Sequence, residues 1–344
     1  MRQLIKYSGV FVKSKAIKAK QLTQEDFDQL MQKTSLSEIV MFLKNETHYG
    51  EIFKEVPERN LHRGDIENPL KKYYFSIIKK YYIFIASNDR KFFKMIFLKE
   101  EIEAVKTILR RIDVDKERFI APIDDYVAAH FSIDIKKLSQ MKSMDEFMDN
   151  ISGAGFEKTL KYAFNTDSDK NMFFLEMALD SYYYKQLMDE LSKNKESIIK
   201  NIYGIEIDMK NIIWIYRCKK YYNVPKEIIY SYHIPYNYKL EKKKLKEMMD
   251  SKNLEELFGF IEKSPYKDLI KGLEDESGKK IFIENNYDKY FSNVLKKINR
   301  AKPFSIISVI EELYSVNAEI NKIINIVECI RYSLNEKEIK NLVG

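Results

Sequence analysis

Apolar residues return every three or four positions through most of this chain, which is the spacing of one face of an α-helix. In EIEAVKTILRRI, Ile102, Val105, Ile108, Leu109 and Ile112 form one such stripe. Ile207, Ile212, Ile215 and Tyr216 form a second, and Ile320, Ile323, Ile324, Val327 and Ile330 a third. In PLKKYYFSIIKKYYIF, Leu70, Tyr74, Ile77, Ile78 and Tyr81 predict a core-facing stripe, with Lys71, Lys72, Lys79 and Lys80 on the flanks and far side. Short polar stretches at 57–69, 165–171, 223–227, 233–237 and 272–280 read as loops. The fold class that follows is all-α.

Composition sharpens this. The chain has 344 residues but only 10 Gly and 7 Pro, where average usage of about 7% and 5% would give roughly 41 together. So few turn-formers fit long helices and disfavour a β architecture. The length suits two or three domains, or one repetitive body. Two Cys provide no disulfide framework, so a reducing compartment is expected. The longest stretch free of Asp, Glu, Lys and Arg, Ile228 to Tyr238, is far short of the roughly 18 to 20 residues of a spanning helix. The first residues lack the apolar core of a secretory signal, so a soluble intracellular protein is expected unless a partner holds it at a membrane. Net charge is +7, but only ten of the 59 basic residues are Arg, which weakens a nucleic-acid reading.

The chain also resembles itself. Four landmarks recur in one order. A small polar or turn residue, an acidic helix start and then an aromatic give Tyr49, Phe156 and Tyr266, at separations of 107 and 110. Aromatic pairs follow at Tyr74-Phe75, Tyr183-Tyr184 and Tyr290-Phe291. An acid then precedes an Arg by eleven or twelve residues: Glu100 and Arg111, Glu206 and Arg217, Glu319 and Arg331. Lys116-Glu117, Lys226-Glu227 and Lys337-Glu338 close the series. Such a series predicts three similar helical units in a pseudo-threefold arrangement, at 1–116 with an N-terminal lead helix, 117–226 and 227–344. The six repeated residues are expected to be structural, each Arg tying its helix to a neighbour through a carboxylate.

Catalytic chemistry finds little foothold. Gly272 to Lys280 has five residues between its glycines, three of them acidic, so it is no phosphate loop and reads as a solvated turn. Gly153 and Gly155 read as a turn between helices. His48, His62, His130 and His233 make no ligand pair, and each is expected at the surface or at a helix cap. Cys218 and Cys329 are expected as buried helix residues. Adjacent acids such as Glu100-Glu101, Asp124-Asp125, Glu255-Glu256 and Glu311-Glu312 are expected to face water. No catalytic residue, cofactor or metal site is expected, and neither nucleic acid nor a small-molecule substrate as partner.

Several segments carry a family resemblance. YSGVFVKSKAIKAKQLTQEDFDQLMQKTSLSEIVMFLKNETHYGEIF, ending near Thr47 and Tyr49, resembles the first unit of the C subunit of V-type (A-type) ATPases, the counterpart of the eukaryotic d subunit. FFKMIFLKEEIEAVKTILRRI, EIDMKNIIWIYRCKKYYNVPKEII and VNAEINKIINIVECIRYSLNEKEIKNLV resemble long helices of its three units. Lys13, Lys15 and Lys18 stand where that family often has Arg, and Glu100 and Ala104 where it has Asp and Asn. The resemblance implies a funnel of three helical units in the central stalk of a rotary ATPase. That subunit would be a non-catalytic socket and spacer coupling the D- and F-type shaft subunits to the membrane proteolipid ring, for transport of H+ or Na+. It further implies a peripheral membrane location on the cytoplasmic face. Some of the lysine charge of 69–84 and 240–249 is expected to meet acidic partner subunits or anionic lipid headgroups near the ring. A helical scaffold for other soluble proteins is the alternative.

Overall fold

A computed structural model describes residues 2–114, 123–166, 171–193, 197–222, 224–271 and 279–343. Among these residues the secondary structure is helical, without a strand. In chain order the helices are α1 (Arg2–Lys18), α2 (Gln24–Met31), α3 (Leu36–Asn45), α4 (Gly50–Phe53), α5 (Arg63–Phe84) and α6 (Arg90–Val114). They continue with α7 (Asp125–Ala128), α8 (Ile135–Leu138), α9 (Met144–Asn150), α10 (Glu157–Thr166), α11 (Met172–Lys193) and α12 (Ser197–Arg217). The last six are α13 (Lys226–Tyr232), α14 (Lys242–Asp250), α15 (Leu254–Glu262), α16 (Lys279–Ala301), α17 (Ile307–Arg331) and α18 (Glu336–Val343).

Each stripe read from the sequence is buried. Leu70, Tyr74, Ile77, Ile78 and Tyr81 of α5, and Ile102, Val105, Ile108, Leu109 and Ile112 of α6, all lie in the core. So do Ile207, Ile212, Ile215 and Tyr216 of α12, and Ile320, Ile323, Ile324, Val327 and Ile330 of α17. Burying each such side chain stabilises by about 1.5 to 3 kcal/mol, which is what holds helices whose own propensity is modest.

Backbone contacts divide the chain into two compact units. Unit 1 comprises Met1–Phe93, Glu117–Phe131 and Lys296–Gly344; unit 2 comprises Lys94–Lys116 and Ser132–Leu295. Within unit 1, α17 packs on α5, α1 and α3, so the end of the chain joins its beginning. Within unit 2, α11 packs on α10, α12 and α13. These two units do not follow the sequential thirds at 1–116, 117–226 and 227–344.

The repeat is visible at the level of local motifs. Three short helices start in the same way. Ser35 caps α3 by accepting from the Glu38 N–H at 3.3 Å, while the Glu38 carboxylate accepts from the Thr34 N–H at 2.7 Å. Ser143 caps α9 through the Glu146 N–H at 3.2 Å, and Glu146 accepts from Lys142 N–H at 2.9 Å. Asn253 caps α15 through the Glu256 N–H at 2.9 Å, and Glu256 accepts from Lys252 N–H at 2.7 Å. In all three, side chains satisfy amide donors that the first helical turn leaves open. Tyr49, Phe156 and Tyr266 follow, and all three are fully buried.

Three expectations need correction. The stretch 57–69 is not loop throughout, because α5 begins at Arg63 and carries Pro69 inside it. Asp65 accepts from the His62 N–H at 2.8 Å, and Ile66 and Leu70 are buried, so capping and burial outweigh the missing proline donor. Nor do the adjacent acids all face water: Glu101, Glu311 and Glu312 are buried. At Glu311 and Glu312, α17 is covered on more than one face by α1 and α5. His48 is half-buried, and burial together with nearby Lys20 pushes it down to about 4. Lys116-Glu117 and Gly272 to Gly278 lie outside the described residues.

Candidate functional site

The long helices α6, α12 and α17 each bring one carboxylate inward to the start of another helical segment. On α6, Glu101 accepts from the Ser132 N–H at 2.9 Å and its hydroxyl at 2.6 Å. On α12, Asp208 accepts from the N–H groups of Tyr238, Lys239 and Leu240 at 3.1, 2.7 and 2.9 Å. The Tyr266 hydroxyl donates to the same carboxylate at 2.7 Å. On α17, Glu319 accepts from the Leu22 N–H at 3.1 Å and from the Tyr49 hydroxyl at 2.6 Å. Every one of these acids thus takes at least one backbone N–H and one hydroxyl.

The second copy shows how the pattern bends without breaking. Phe156 stands where the other copies have Tyr49 and Tyr266, so it has no hydroxyl to give. Ser132 supplies the hydroxyl instead. The ring of Tyr182 packs edge-on against Phe156, its centroid 6.2 Å away. Its hydroxyl approaches so closely that a Cβ on Gly155 would lie 2.1 Å from it. A side chain at position 155 and Tyr182 in this pose exclude each other.

All three acids are pushed up from the ordinary carboxylate range by burial, against the downward pull of the hydrogen bonds they accept. Glu319 reaches about 7. Tyr49 and Tyr266 are raised as well, by burial first and then by the carboxylate each one faces. These hydroxyls are therefore held as donors.

A cationic clamp accompanies two of the anchors. Arg111 of α6 donates to the carbonyls of Ser139 and Met141, the latter at 2.6 Å. Lys219, just beyond α12, donates to the carbonyls of Met249 and Ser251 at 2.9 and 2.5 Å. Both cations sit where a short helix, α8 or α14, leaves its last carbonyls unpaired, the negative end of the helix dipole.

The six repeated residues therefore fall into different places. Glu319 is an anchor, but in the other two copies the anchors are Glu101 and Asp208, one and two residues after Glu100 and Glu206. Glu206 is buried, with the Tyr287 hydroxyl 3.5 Å away. Arg111 takes up backbone carbonyls where a carboxylate was expected. Its counterpart in the second copy is Lys219, because matching Arg to Arg selects Arg217 two residues early. Arg331 pairs with Glu328 of its own helix at 2.9 Å.

Arg217 lines a different feature, a cavity of about 310 Å3 within unit 2, together with Lys106, Arg110, Asp180, Lys210 and Trp214. An ionic lattice crosses its wall. Lys106 pairs with Asp180 at 2.6 Å and Glu103 at 2.7 Å, and Lys210 reaches Asp180 at 3.0 Å. Arg110 pairs with Glu176. Burial alone would push Asp180 up, but Lys106 and Lys210 outweigh it and hold the carboxyl below its usual range. Lys106 is raised for the reciprocal reason, burial being outweighed by Asp180 and Glu103. This wall is preorganised and internally neutralised.

Cys218 and Cys329 are free and buried, and burial pushes the Cys218 thiol up to about 12, far from a reactive thiolate. Among the described residues no group of three or more His, Cys, Asp or Glu side chains converges on a common metal position. No helix among them is long and apolar enough to cross a membrane.

Comparison with known proteins gives one consistent result. The sequence model of the ATP synthase (C/AC39) subunit family matches residues 11–342. Among similar proteins is the C subunit of the A-type ATP synthase of Methanocaldococcus jannaschii, 24% identical over 351 residues, covering 99% of this chain and 86% of that one. That of Methanosphaera stadtmanae is 26% identical over 334 residues, covering 94% of this chain and 83% of that one. The Pyrococcus horikoshii protein is 24% identical over 345 residues, with 98% and 90% covered.

Proposed function

Matched over nearly its whole length, the chain belongs to the ATP synthase (C/AC39) subunit family, and from that premise we propose that it is the non-catalytic central-stalk subunit of a rotary ATPase. Its task in this reading is mechanical. It seats the D- and F-type shaft subunits, spaces them from the membrane proteolipid ring, and passes torque between them during H+ or Na+ transport. It is held at the cytoplasmic face by its partners.

One observation carries the reading beyond family membership. The acids repeated at Glu101, Asp208 and Glu319 are each spent on fastening a helical segment to a long helix. A coupling part has to resist shear, and a buried carboxylate holding backbone amides fixes position and orientation together. The three-unit organisation is part of this proposal and rests on those repeated motifs. The charged wall of the unit 2 cavity, preorganised by its own ion pairs, suits a contact with a protein partner better than turnover of a substrate.

Co-purification from membranes solubilised in mild detergent tests the proposal. A tagged chain is expected to bring down both the proteolipid ring and the shaft subunits. Recovery of the chain with soluble proteins alone, under conditions that keep the rest of the ATPase assembled, would overturn it in favour of a soluble scaffold.

A further inference from the structure

The net charge of +7 is concentrated rather than spread. Residues 1–24 hold six basic side chains and no acidic one, and residues 68–88 hold four and no acidic one. These stretches include α1 and most of α5, which pack against each other in unit 1. The ten cations of these two stretches exceed the charge of the whole molecule, so the rest of the chain is net acidic.

The same helices expose large apolar side chains. Leu4, Ile5 and Val12 of α1, and Ile83 and Phe84 at the end of α5, are between 51% and 71% exposed. Ile5, Gly9, Val12 and Ala16 stand at helical spacing and form one outward stripe, flanked at seven-residue intervals by Lys6, Lys13 and Lys20. The two helices meet at Lys13, whose ammonium lies 3.7 Å from the centre of the Phe84 ring. Burial and then the like charge of Lys80 lower the Lys13 pKa. Lys15 lies over the Phe11 ring at 5.4 Å, and Lys79 over the Tyr126 ring at 4.8 Å. At the start of α1 the acid that reaches this face is Asp89, which pairs with Lys6 at 2.7 Å and accepts from the Tyr7 hydroxyl at 2.7 Å. At the end of α1, Lys18 pairs with Glu311 and Lys15 faces Glu312, whereas Lys13, Lys79 and Lys80 have aromatic rings or like charges for neighbours.

We propose that this face of α1 and α5 docks on the anionic headgroup surface of a lipid bilayer. Water-facing Ile, Val and Phe side chains amid lysines, on α1 and the acid-free part of α5 from residue 68 onward, are the arrangement of an interfacial helix pair. The apolar side chains enter the headgroup boundary while lysine stems reach past them to anionic headgroups. A neutral or cationic partner is disfavoured by the charge, and a purely apolar partner leaves the lysines desolvated without counter-charge. This surface does not depend on the coupling role proposed above, and either can fail alone.

The test is co-sedimentation of the purified full-length chain with protein-free vesicles, one set of phosphatidylcholine alone and one with phosphatidylglycerol added. The chain is expected to bind the anionic vesicles, to release as salt is raised, and to ignore the neutral ones. Removing Lys13 and Lys80 together (K13Q/K80Q) is expected to weaken binding at least tenfold, since each cation near such a surface contributes roughly fivefold. Phe84→Ser is expected to weaken binding with charge unchanged. As a control, neutralising Lys242, Lys243 and Lys244 of α14, which stand beside Glu241 and Glu247, is expected to leave binding intact. Circular dichroism of each variant establishes that it is folded, and Phe84→Ser, at an exposed site, stands in should K13Q/K80Q not fold. Equal binding to both vesicle types, no binding to either, or equal losses at α14 and at Lys13 and Lys80 would overturn the assignment. Binding that appears only when proteolipid ring is present in the vesicles would transfer this face to a protein partner.

Discussion

In unit 2, Asp180 lies between Lys106 and Lys210, buried but paired on both oxygens. In unit 1, Glu312 of α17 is fully buried, and neither oxygen has a hydrogen-bond partner among the described residues. Its neighbours divide by element. Glu311 and Glu319 share its helix, Lys15 and Lys18 face it from α1, and Tyr73 and Tyr81 from α5. Lys18 is already paired with Glu311, and Tyr81 shares a hydrogen bond with Ser14 at 2.8 Å. Two carboxylates of similar burial therefore settle in opposite states. Burial is outweighed by two cations at Asp180, which stays ionised. At Glu312 burial, reinforced by Glu311, pushes the carboxyl up to about 8, so it is largely protonated at neutral pH. What decides the charge of a buried acid here is whether a cation can reach it.

The sharpest way to break the comparison is to remove the central acid of the lattice. Asp180→Ala leaves Lys106 buried with Glu103 as its remaining partner, and a broken buried pair costs about 3 to 5 kcal/mol. Urea unfolding at pH 7 measures it. Replacing Lys106 and Asp180 together by Met and Leu is expected to recover most of the loss. A cost below about 1 kcal/mol for Asp180→Ala alone would mean that water, and not burial, sets the energy of the lattice.

Glu312→Gln probes the other member. Folding raises the Glu312 pKa from its ordinary 4.5 to about 8, so the folded state binds the proton more tightly than the unfolded one. Its contribution is fully present below 4.5 and is lost as pH rises through 8. At pH 7 wild type has forgone on the order of 3 kcal/mol of it. Glutamine has no charge to bury, so the variant is expected to match wild type near pH 5 and to exceed it increasingly toward pH 9. Glu319, raised to about 7, keeps some of the same slope in both proteins at lower pH. Parallel stability curves for the two proteins from pH 5 to 9 would show that Glu312 is ionised in the fold.

Much of this was legible in the sequence, and the misses share a cause. Helical stripes were readable because burial imposes a period of 3.6 on apolar residues whatever their partners. The repeat was readable because four landmarks recurring in one order need no three-dimensional information. Anchor register was not. Glu100 and Glu206 were selected by their distance to an Arg, yet the side chain that fastens another segment to each helix is Glu101 or Asp208. A shift of one residue turns a side chain by about 100° around the helix, and an acid's letter does not say which way it points. Lys219 was hidden for a related reason, since carbonyls at a helix end accept Lys as well as Arg. Buried Glu311 and Glu312 looked solvated because nothing local signals that α17 is covered by both α1 and α5.

The repeated anchors give a third comparison, between copies that have a tyrosine hydroxyl and the one that does not. Tyr266→Phe leaves Asp208 with its three backbone donors, and Tyr49→Phe leaves Glu319 with Leu22 alone. Losing a hydrogen bond to a buried carboxylate costs about 1 to 3 kcal/mol. Tyr49→Phe is therefore expected at the upper end and Tyr266→Phe at the lower. The second copy already has Phe156 and is held by Ser132, so Ser132→Ala is its equivalent lesion. Chemical unfolding of the three variants at one pH gives the ranking. Equal costs at positions 49 and 266 would mean that the number of remaining donors is irrelevant.

Smallest in size is the cap comparison. Ser35, Ser143 and Asn253 perform one task at the start of α3, α9 and α15, each accepting from the amide of a Glu three residues on. Replacing any of them by Ala removes that acceptor and is expected to cost about 1 kcal/mol. The Glu of each box keeps its own bond to the residue before the cap, so the helix frays without unravelling. If the boxes are equivalent, Ser35→Ala and Ser143→Ala shift the unfolding midpoint by the same amount within about 0.5 kcal/mol, although they lie in different units. A cap that costs nothing in one unit and its full value in the other would show that the two units unfold separately. The less stable unit would then set the measured midpoint, and only its own cap would register.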